Sequence, residues 1–315
     1  MYPQQQIQFN QNLIDKDAAD LHKAMKGAGT DEDAIIRIVA HRTNPQRMLM
    51  IESFRRQFNK DLVKELKSEL SGNLEDAIVA LFTDPCEYDA IQLYKAMKGL
   101  GTNEDTLIEI LATRPNWMIQ RTKEIFRLKY NKDLIDWVKS ETSGGLKKVL
   151  CLLINCVRIE NTLADPNICK QKSDQLYKAG EDRLGTNEDV FYKIFTESSP
   201  YEIHMINQIY TQDHKHDLIK AVDKEFSGDT KKVLQAIVYA MVKPSEFFAK
   251  KINKAVKGWG TNDNLLIRVI VTRFEFDMPQ IKESYRILYG KNLIDDVKSD
   301  TSGDYKKLLV ELLSN

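Results

Sequence analysis

The chain has 315 residues, and its 46 Lys plus Arg balance 46 Asp plus Glu, so the formal net charge is zero. A neutral chain has no general attraction to nucleic acid or to an acidic surface, so any affinity for phosphate must come from local charge or a bound cation. The four cysteines form no Cys-x-x-Cys pair, and the longest apolar runs (Val149 to Val157, Val233 to Val242) are too short to span a bilayer; this argues against a disulfide framework, a zinc site or a membrane span, and for buried or idle thiols in a reducing cytosol.

Residues 1–12 form a short head. It is glutamine-rich, lacks the apolar core of a signal peptide, shows no amphipathic stripe and has Tyr2 as its only hydroxyl. A first repeat, 13–85, carries the phrase Lys26-Gly27-Ala28-Gly29-Thr30. An apolar stripe at helical spacing follows (Ile35, Ile36, Ile38, Val39), and Thr30 with Asp33 reads as a capping box at its start. Pro45 falls near the start of the next helix, and the phrase Glu69-Leu70-Ser71-Gly72 breaks the chain before a last short one.

The second repeat, 86–157, repeats this order: Lys98-Gly99-Leu100-Gly101-Thr102, a capping box from Thr102 to Asp105, the stripe Leu107, Ile108, Ile110, Leu111, then Pro115 and Glu141-Thr142-Ser143-Gly144. Residues 158–169, with Asn161 and Asp165-Pro166-Asn167 and little hydrophobic period, read as a linker. The third repeat, 170–244, has Arg183-Leu184-Gly185-Thr186, Pro200 and Glu225-Phe226-Ser227-Gly228. The fourth, 245–315, has Lys257-Gly258-Trp259-Gly260-Thr261, Pro279 and Asp300-Thr301-Ser302-Gly303. The periodicity gives about five helices per repeat and no strand, an all-α chain of two repeats, a linker and two more repeats.

The last glycines recur at intervals of 72, 84 and 75 residues, and an acidic residue follows each at 40. In any single copy, helix capping accounts for one glycine and the threonine. Capping does not require the second glycine or the distant acid, although duplication alone preserves both. The chemistry of the pair is that of an oxygen-only cation site. The last carbonyls of a helix lack internal partners and carry the negative end of its dipole. With one bidentate carboxylate they supply about five oxygens, which suits calcium and leaves one or two positions open. Magnesium resists so irregular a cage, and zinc favours nitrogen or sulfur. One formal charge per site predicts weak binding by the ion alone; a lipid phosphate oxygen in the open position would supply the missing charge. The loop tips Ala28, Leu100, Leu184 and Trp259 are apolar, and two fates are open to the large ones: insertion at a headgroup boundary, or folding back onto their own helices. Lys26, Lys98 and Lys257 beside them suit anionic headgroups.

The phrases Met25-Lys26-Gly27-Ala28-Gly29-Thr30-Asp31-Glu32 and Met97-Lys98-Gly99-Leu100-Gly101-Thr102-Asn103-Glu104, with their distant acids and the apolar runs ending in Arg42, Arg114 or Arg273, resemble the annexin repeat from about Leu13 to Leu313. The resemblance implies an all-α curved disc of four five-helix repeats with a right-handed superhelical turn. It implies Ca2+ sites on the convex face and docking to phosphatidylserine-rich membranes. It assigns the carbonyls of Met25, Gly27 and Gly29 with the Glu69 carboxylate, and those of Met97, Gly99 and Gly101 with Glu141. In the longer third loop it assigns Gly180, Arg183 and Gly185 with Glu225, and in the fourth Val256, Gly258 and Gly260 with Asp300. Secondary sites would use Thr30 with Glu32 and Thr102 with Glu104. A polar central channel would be lined by Asp89, Glu109, Arg114 and Arg268, with Gln92 where an acid is common; as buried charges these read as an ion-pair network. The arginine that closes the apolar run is absent from repeat III, where Glu197-Ser198 stands, so an ion pair there is in doubt.

The expected function is calcium-dependent binding to anionic phospholipid, without enzymatic activity and without nucleic acid. The alternatives are a calcium-regulated ion channel and a metal-dependent hydrolase built on Asp213-His214-Lys215-His216-Asp217, a segment that reads first as a solvated polar loop. A cytoplasmic location with peripheral, calcium-driven recruitment is expected; unconventional export and self-association on membranes stay open.

Overall fold

The computed structural model describes residues 10–27, 29–161, 163–258 and 260–314, which form twenty helices and no strand. Repeat I holds α1 (Gln11–Ala24), α2 (Glu32–Ala40), α3 (Asn44–Phe58), α4 (Leu62–Glu69) and α5 (Gly72–Leu81). Repeat II holds α6 (Pro85–Met97), α7 (Glu104–Thr113), α8 (Asn116–Tyr130), α9 (Leu134–Glu141) and α10 (Gly144–Ile154). Repeat III holds α11 (Pro166–Ala179), α12 (Glu188–Glu197), α13 (Pro200–His214), α14 (Leu218–Glu225) and α15 (Gly228–Val242). Repeat IV holds α16 (Pro244–Val256), α17 (Asp263–Arg273), α18 (Met278–Tyr289), α19 (Leu293–Asp300) and α20 (Gly303–Ser314). Five helices per repeat is the number the periodicity predicts. None is long and apolar enough to cross a membrane. The head lies outside the described residues up to position 9.

The four repeats do not group in chain order. One compact unit joins the residues up to Pro85 to those from Phe248 onward; the other runs from Cys86 to Phe247. Repeat I therefore packs with IV, α2 on α20 and α5 on α17. Repeat II packs with III, α7 on α15 and α10 on α12 and α15. All four cysteines are free thiols, Cys86 and Cys169 buried and the other two half-buried.

One corner recurs four times and sets the position of the acids. α3, α8 and α13 are 15-residue helices that end on a left-handed residue, Asn59 (φ 53°), Asn131 (φ 51°) and Lys215 (φ 65°); α18 ends likewise on Gly290 (φ 65°). Two residues on, Asp61, Asp133, Asp217 or Asn292 caps the next helix with its side chain. That next helix has eight residues each time, and its last residue is Glu69, Glu141, Glu225 or Asp300.

A buried ion pair ties the first helix of a repeat to the end of its second. Arg42 bonds Asp17 through both Nε and Nη2, and Arg114 bonds Asp89 the same way at 2.7 and 2.9 Å, with both side chains buried. In repeat III the equivalent positions are Ser173 and Ser198, so the pair is lost as the absent arginine predicts; Lys172 reaches Ser198 Oγ at 2.9 Å instead. In repeat IV Phe248 stands at the position of the acid, and Arg273 lies over its ring at 4.5 Å while bonding Asp277, four residues on, through Nε and Nη2.

Removing one partner of a buried pair leaves the other charge unsolvated, a cost of about 3–5 kcal/mol. Arg114→Met should destabilise the protein by that amount in urea unfolding. The double variant Asp89→Leu/Arg114→Met, which removes both charges of the pair, should recover part of the loss.

Candidate metal centres

Each site starts where the first helix of a repeat stops. The chain turns through the glycine loop and closes with a backbone bond onto the helix end. Asp31 N–H donates to the Ala24 carbonyl at 2.9 Å, and Asn103 and Asn262 donate to Ala96 and Ala255 at 2.8 Å. In repeat III the loop is one residue longer and Asn187 N–H closes on Ala179 at 2.7 Å. Such a turn needs left-handed torsions, as at Gly27 (φ 126°) and Gly29 (φ 99°). A Cβ at either would meet nothing within 4 Å, so glycine is required there by torsion and not by space.

The acid joins the loop through one hydroxyl. Thr30 Oγ1 donates to Glu69 at 2.7 Å, Thr102 to Glu141 at 3.0 Å and Thr261 to Asp300 at 2.6 Å; Thr186 donates to Glu225. The predicted capping boxes are therefore corrected. The caps are Asp31 and Asn103, whose side chains accept from Ala34 N–H at 2.9 Å and Thr106 N–H at 3.0 Å. Asx residues cap better than threonine, which frees each threonine hydroxyl for the carboxylate.

The donor set is oxygen only. Met25 and Met97 bury their side chains and have only a carbonyl to offer; Val256 is half-buried. Gly27, Gly29, Gly99, Gly101, Gly185, Gly258 and Gly260 are exposed. Gly180 is buried, and a Cβ there would come within 3.0 Å of the Glu225 side chain, so a missing side chain lets this acid approach. The Gly180 carbonyl accepts from Arg183 N–H at 3.1 Å, which folds the longer loop. Glu32 and Glu104 begin α2 and α7 close to the threonines. No group of three or more His, Cys, Asp or Glu that could hold a metal occurs among the described residues. A donor set of one carboxylate and backbone carbonyls fits a hard cation of flexible coordination, calcium above all.

Leu100 and Leu184 are fully exposed and do not fold back onto their own helices. Ala28 and Trp259 lie outside the described residues. Lys26, Lys98 and Lys257 are exposed, with Lys98 Nζ 5.5 Å above the Tyr94 ring. Of the channel residues, Asp89, Glu109 and Arg114 are buried in the unit of repeats II and III, and Arg268 in the other. The Asp89–Arg114 pair has its counterpart in Asp17–Arg42, which marks it as packing internal to a repeat.

The histidine segment is not a solvated loop. It is the third copy of the corner described above, with Lys215 left-handed and Asp217 as the cap. His214 stacks on Tyr177 at 3.9 Å, as Tyr130 stacks on Tyr94 at 3.8 Å and Phe58 on His22 at 4.0 Å. His216 Nε2 lies 3.0 Å from Glu181, which also accepts from Tyr210 Oη at 2.6 Å and from Lys224. Burial alone would raise the Glu181 carboxyl, but the bonds from Lys224, Tyr210 and His216 outweigh it and hold it below its usual value. This brace on loop III was missed from sequence, where Glu181 is one more polar residue in a loop.

The family model described as Annexin matches residues 16–81, 88–153, 172–237 and 247–312. The chain is 44% identical over 299 residues to annexin A7 of Dictyostelium discoideum, covering 95% of this chain and 64% of that protein. It is 42% identical over 300 residues to annexin A13 of Homo sapiens, covering 95% of both. It thus spans less than two thirds of the annexin A7 relative and nearly all of the A13 one. Among solved structures, annexin III superposes with a TM-score of 0.92 at 38% identity, covering 96% of this chain and 94% of that one. A calcium-bound annexin (Sm)1 superposes with a TM-score of 0.90 at 29% identity, covering 98% and 92%.

Gly180→Ala tests the local geometry of the third site. Its methyl must push Glu225 aside, and overpacking of about 1–3 kcal/mol corresponds to a site weaker by roughly fivefold to 150-fold. Calorimetry should show one calcium fewer at moderate concentration, with an unchanged circular dichroism spectrum.

Proposed function

The chain belongs to the annexin family, and we propose on that premise that it docks reversibly on anionic phospholipid through calcium held at its four glycine loops. The observation that carries this reading is the fourfold recurrence of one arrangement: a helix end, a loop closed on it, and a carboxylate held to that loop by a threonine hydroxyl. Annexins are known for calcium-dependent phospholipid binding and are in general not enzymes.

At the first site the carbonyls of Met25, Gly27 and Gly29 and the Glu69 carboxylate would hold the ion. Met97, Gly99, Gly101 and Glu141 would do so at the second, Gly180, Arg183, Gly185 and Glu225 at the third, and Val256, Gly258, Gly260 and Asp300 at the fourth. Three carbonyls and two carboxylate oxygens leave one or two of calcium's six to eight positions for other oxygens. Bound there, the ion supplies a bridge from the loop to a lipid phosphate oxygen. The chain contributes a single formal charge per site, which makes anionic lipid such as phosphatidylserine part of the binding equilibrium. Exposed Leu100 and Leu184, with Ala28 and Trp259 at the other tips, would enter the headgroup region, and Lys26, Lys98 and Lys257 would meet its negative charge. Thr30 with Glu32 and Thr102 with Glu104 would form weaker accessory sites. Recruitment is peripheral, because contact is made by loop tips alone.

Linkage requires that lipid tighten calcium binding by the factor by which calcium tightens lipid binding. Calorimetric titration of calcium with and without phosphatidylserine vesicles should show a large difference; equal affinities would sink the bridging reading. A second prediction concerns the acids. Glu69→Gln, Glu141→Gln, Glu225→Gln and Asp300→Asn should each raise the calcium needed for vesicle sedimentation. All four together should abolish sedimentation while leaving the melting temperature nearly unchanged, since these side chains lie at the ends of short surface helices.

A further inference from the structure

The four carboxylates are not held alike. Glu69, Glu225 and Asp300 each accept from the threonine of their own loop and from no other side chain among the described residues. Glu141 has a second donor. Its Oε2 accepts from Thr102 at 3.0 Å, and its Oε1 accepts from the indole Nε1–H of Trp137 at 3.2 Å. Trp137 stands one helical turn before Glu141 on α9, so its ring leans onto the face that carries the acid. The equivalent positions are Glu65, Ala221 and Asp296. Glu65 pairs with Lys60 at 2.7 Å, Ala221 is buried, and Asp296 accepts from Tyr285 Oη at 2.7 Å. None of the three donates to its neighbouring ligand.

The indole is itself fixed in place. Its ring meets Tyr94 edge-on at 5.2 Å and Phe126 at 5.8 Å, and Tyr94 is stacked on Tyr130 at 3.8 Å. Lys132 Nζ lies 3.7 Å above the outer face. Tyr94 sits on α6 one turn before Met97, the residue whose carbonyl opens the second loop. Trp137 thus braces the acid-bearing helix against the loop-bearing helix while it orients the acid.

We infer that Trp137 is a positioning residue for the second calcium site, and that it makes this site the tightest of the four. The inference rests on the calcium reading given above. A glutamate that must turn both oxygens toward an ion loses rotamer freedom on binding; a carboxylate already held at both oxygens has lost that freedom beforehand. The two donors do not block the ion. A carboxylate has about four lone-pair positions, two of which are taken here, leaving one on each oxygen for bidentate contact. Indole N–H is a donor only and does not titrate.

The test uses two backgrounds of the full chain. One keeps only the second acid (Glu69→Gln/Glu225→Gln/Asp300→Asn); the other keeps only the fourth (Glu69→Gln/Glu141→Gln/Glu225→Gln). Trp137→Phe retains an aromatic ring between Tyr94 and Phe126 and deletes the N–H. With phosphatidylserine vesicles, it should raise the calcium for half-maximal binding of the second-site protein by about threefold to tenfold. The fourth-site protein reports any general loss of folding and should shift far less. In a Trp117→Phe/Trp259→Phe protein, Trp137 emission should change with calcium alone, without lipid, and the change should vanish on adding Glu141→Gln. An equal shift in both backgrounds, or no shift in the second-site protein, would overturn the positioning role. Failure of the second-site protein to bind vesicles with Trp137 intact would instead overturn the calcium reading of that site, and this inference with it.

Discussion

A single hydroxyl-to-carboxylate bond, repeated four times, is the contact on which the functional architecture depends. Thr30 and Glu69 are 39 residues apart, as are their counterparts, and nothing local brings them together. The whole repeat does so. The second and third helices carry the chain away from the loop, a left-handed residue turns it, and an eight-residue helix returns it with the acid at its last position. Lengthening that helix by one residue would rotate the acid by about 100° about the helix axis and away from the threonine. The fixed spacing of 40 residues from glycine to acid is therefore a consequence of packing as much as of chemistry.

Repetition made most of this readable from sequence, because a pattern that is ambiguous once is informative four times. The helical periodicity, the absence of strands and the identity of the acids all follow from aligned copies. What could not be read was set by contacts between copies or by competition between neighbouring residues. Thr30 and Thr102 satisfy the pattern of a helix cap, and only the adjacent Asp31 and Asn103 displace them from it. The histidines of repeat III look like metal ligands in isolation. Aligned with Phe58 and Tyr130, His214 is one more ring in a recurrent stack. Trp137 gave no signal, since an indole four residues before an acid has meaning only once that acid is known to sit in a site.

The copies also show how a structural role survives changes of chemistry. Asp17–Arg42 and Asp89–Arg114 are doubly bonded pairs, the second fully buried and the first with Arg42 half-buried. In repeat IV the arginine lies over a phenyl ring and takes its carboxylate from Asp277 on its own side of the contact, and in repeat III both members shrink to serine, with Ser173 Oγ buried and unpartnered. Replacing both members of an ion pair together avoids a stranded charge, which is the costly outcome. The last glycine of each loop allows no such latitude: Gly29, Gly101, Gly185 and Gly260 all have φ between 77° and 99°, whereas Arg183 stands in repeat III where the other loops have Gly27, Gly99 and Gly258.

Each unit also contains salt bridges that cross between its two repeats, and their arrangement has a bearing on how the chain diverged. In the unit of repeats II and III, Asp105 bonds Lys232 and Asp189 bonds Lys148. The acid lies three residues after a loop threonine and the lysine seven after a site acid, once in each direction. That reciprocity is the mark of an isologous interface, the kind two identical subunits make about a twofold axis. In the other unit Asp33 bonds Lys307, but the reverse positions hold Asn264 and Asp76. A homodimer could not make that exchange on one side only, because a mutation would appear in both subunits at once. A fused duplicate is released from self-complementarity, and each half of its interface is free to evolve alone.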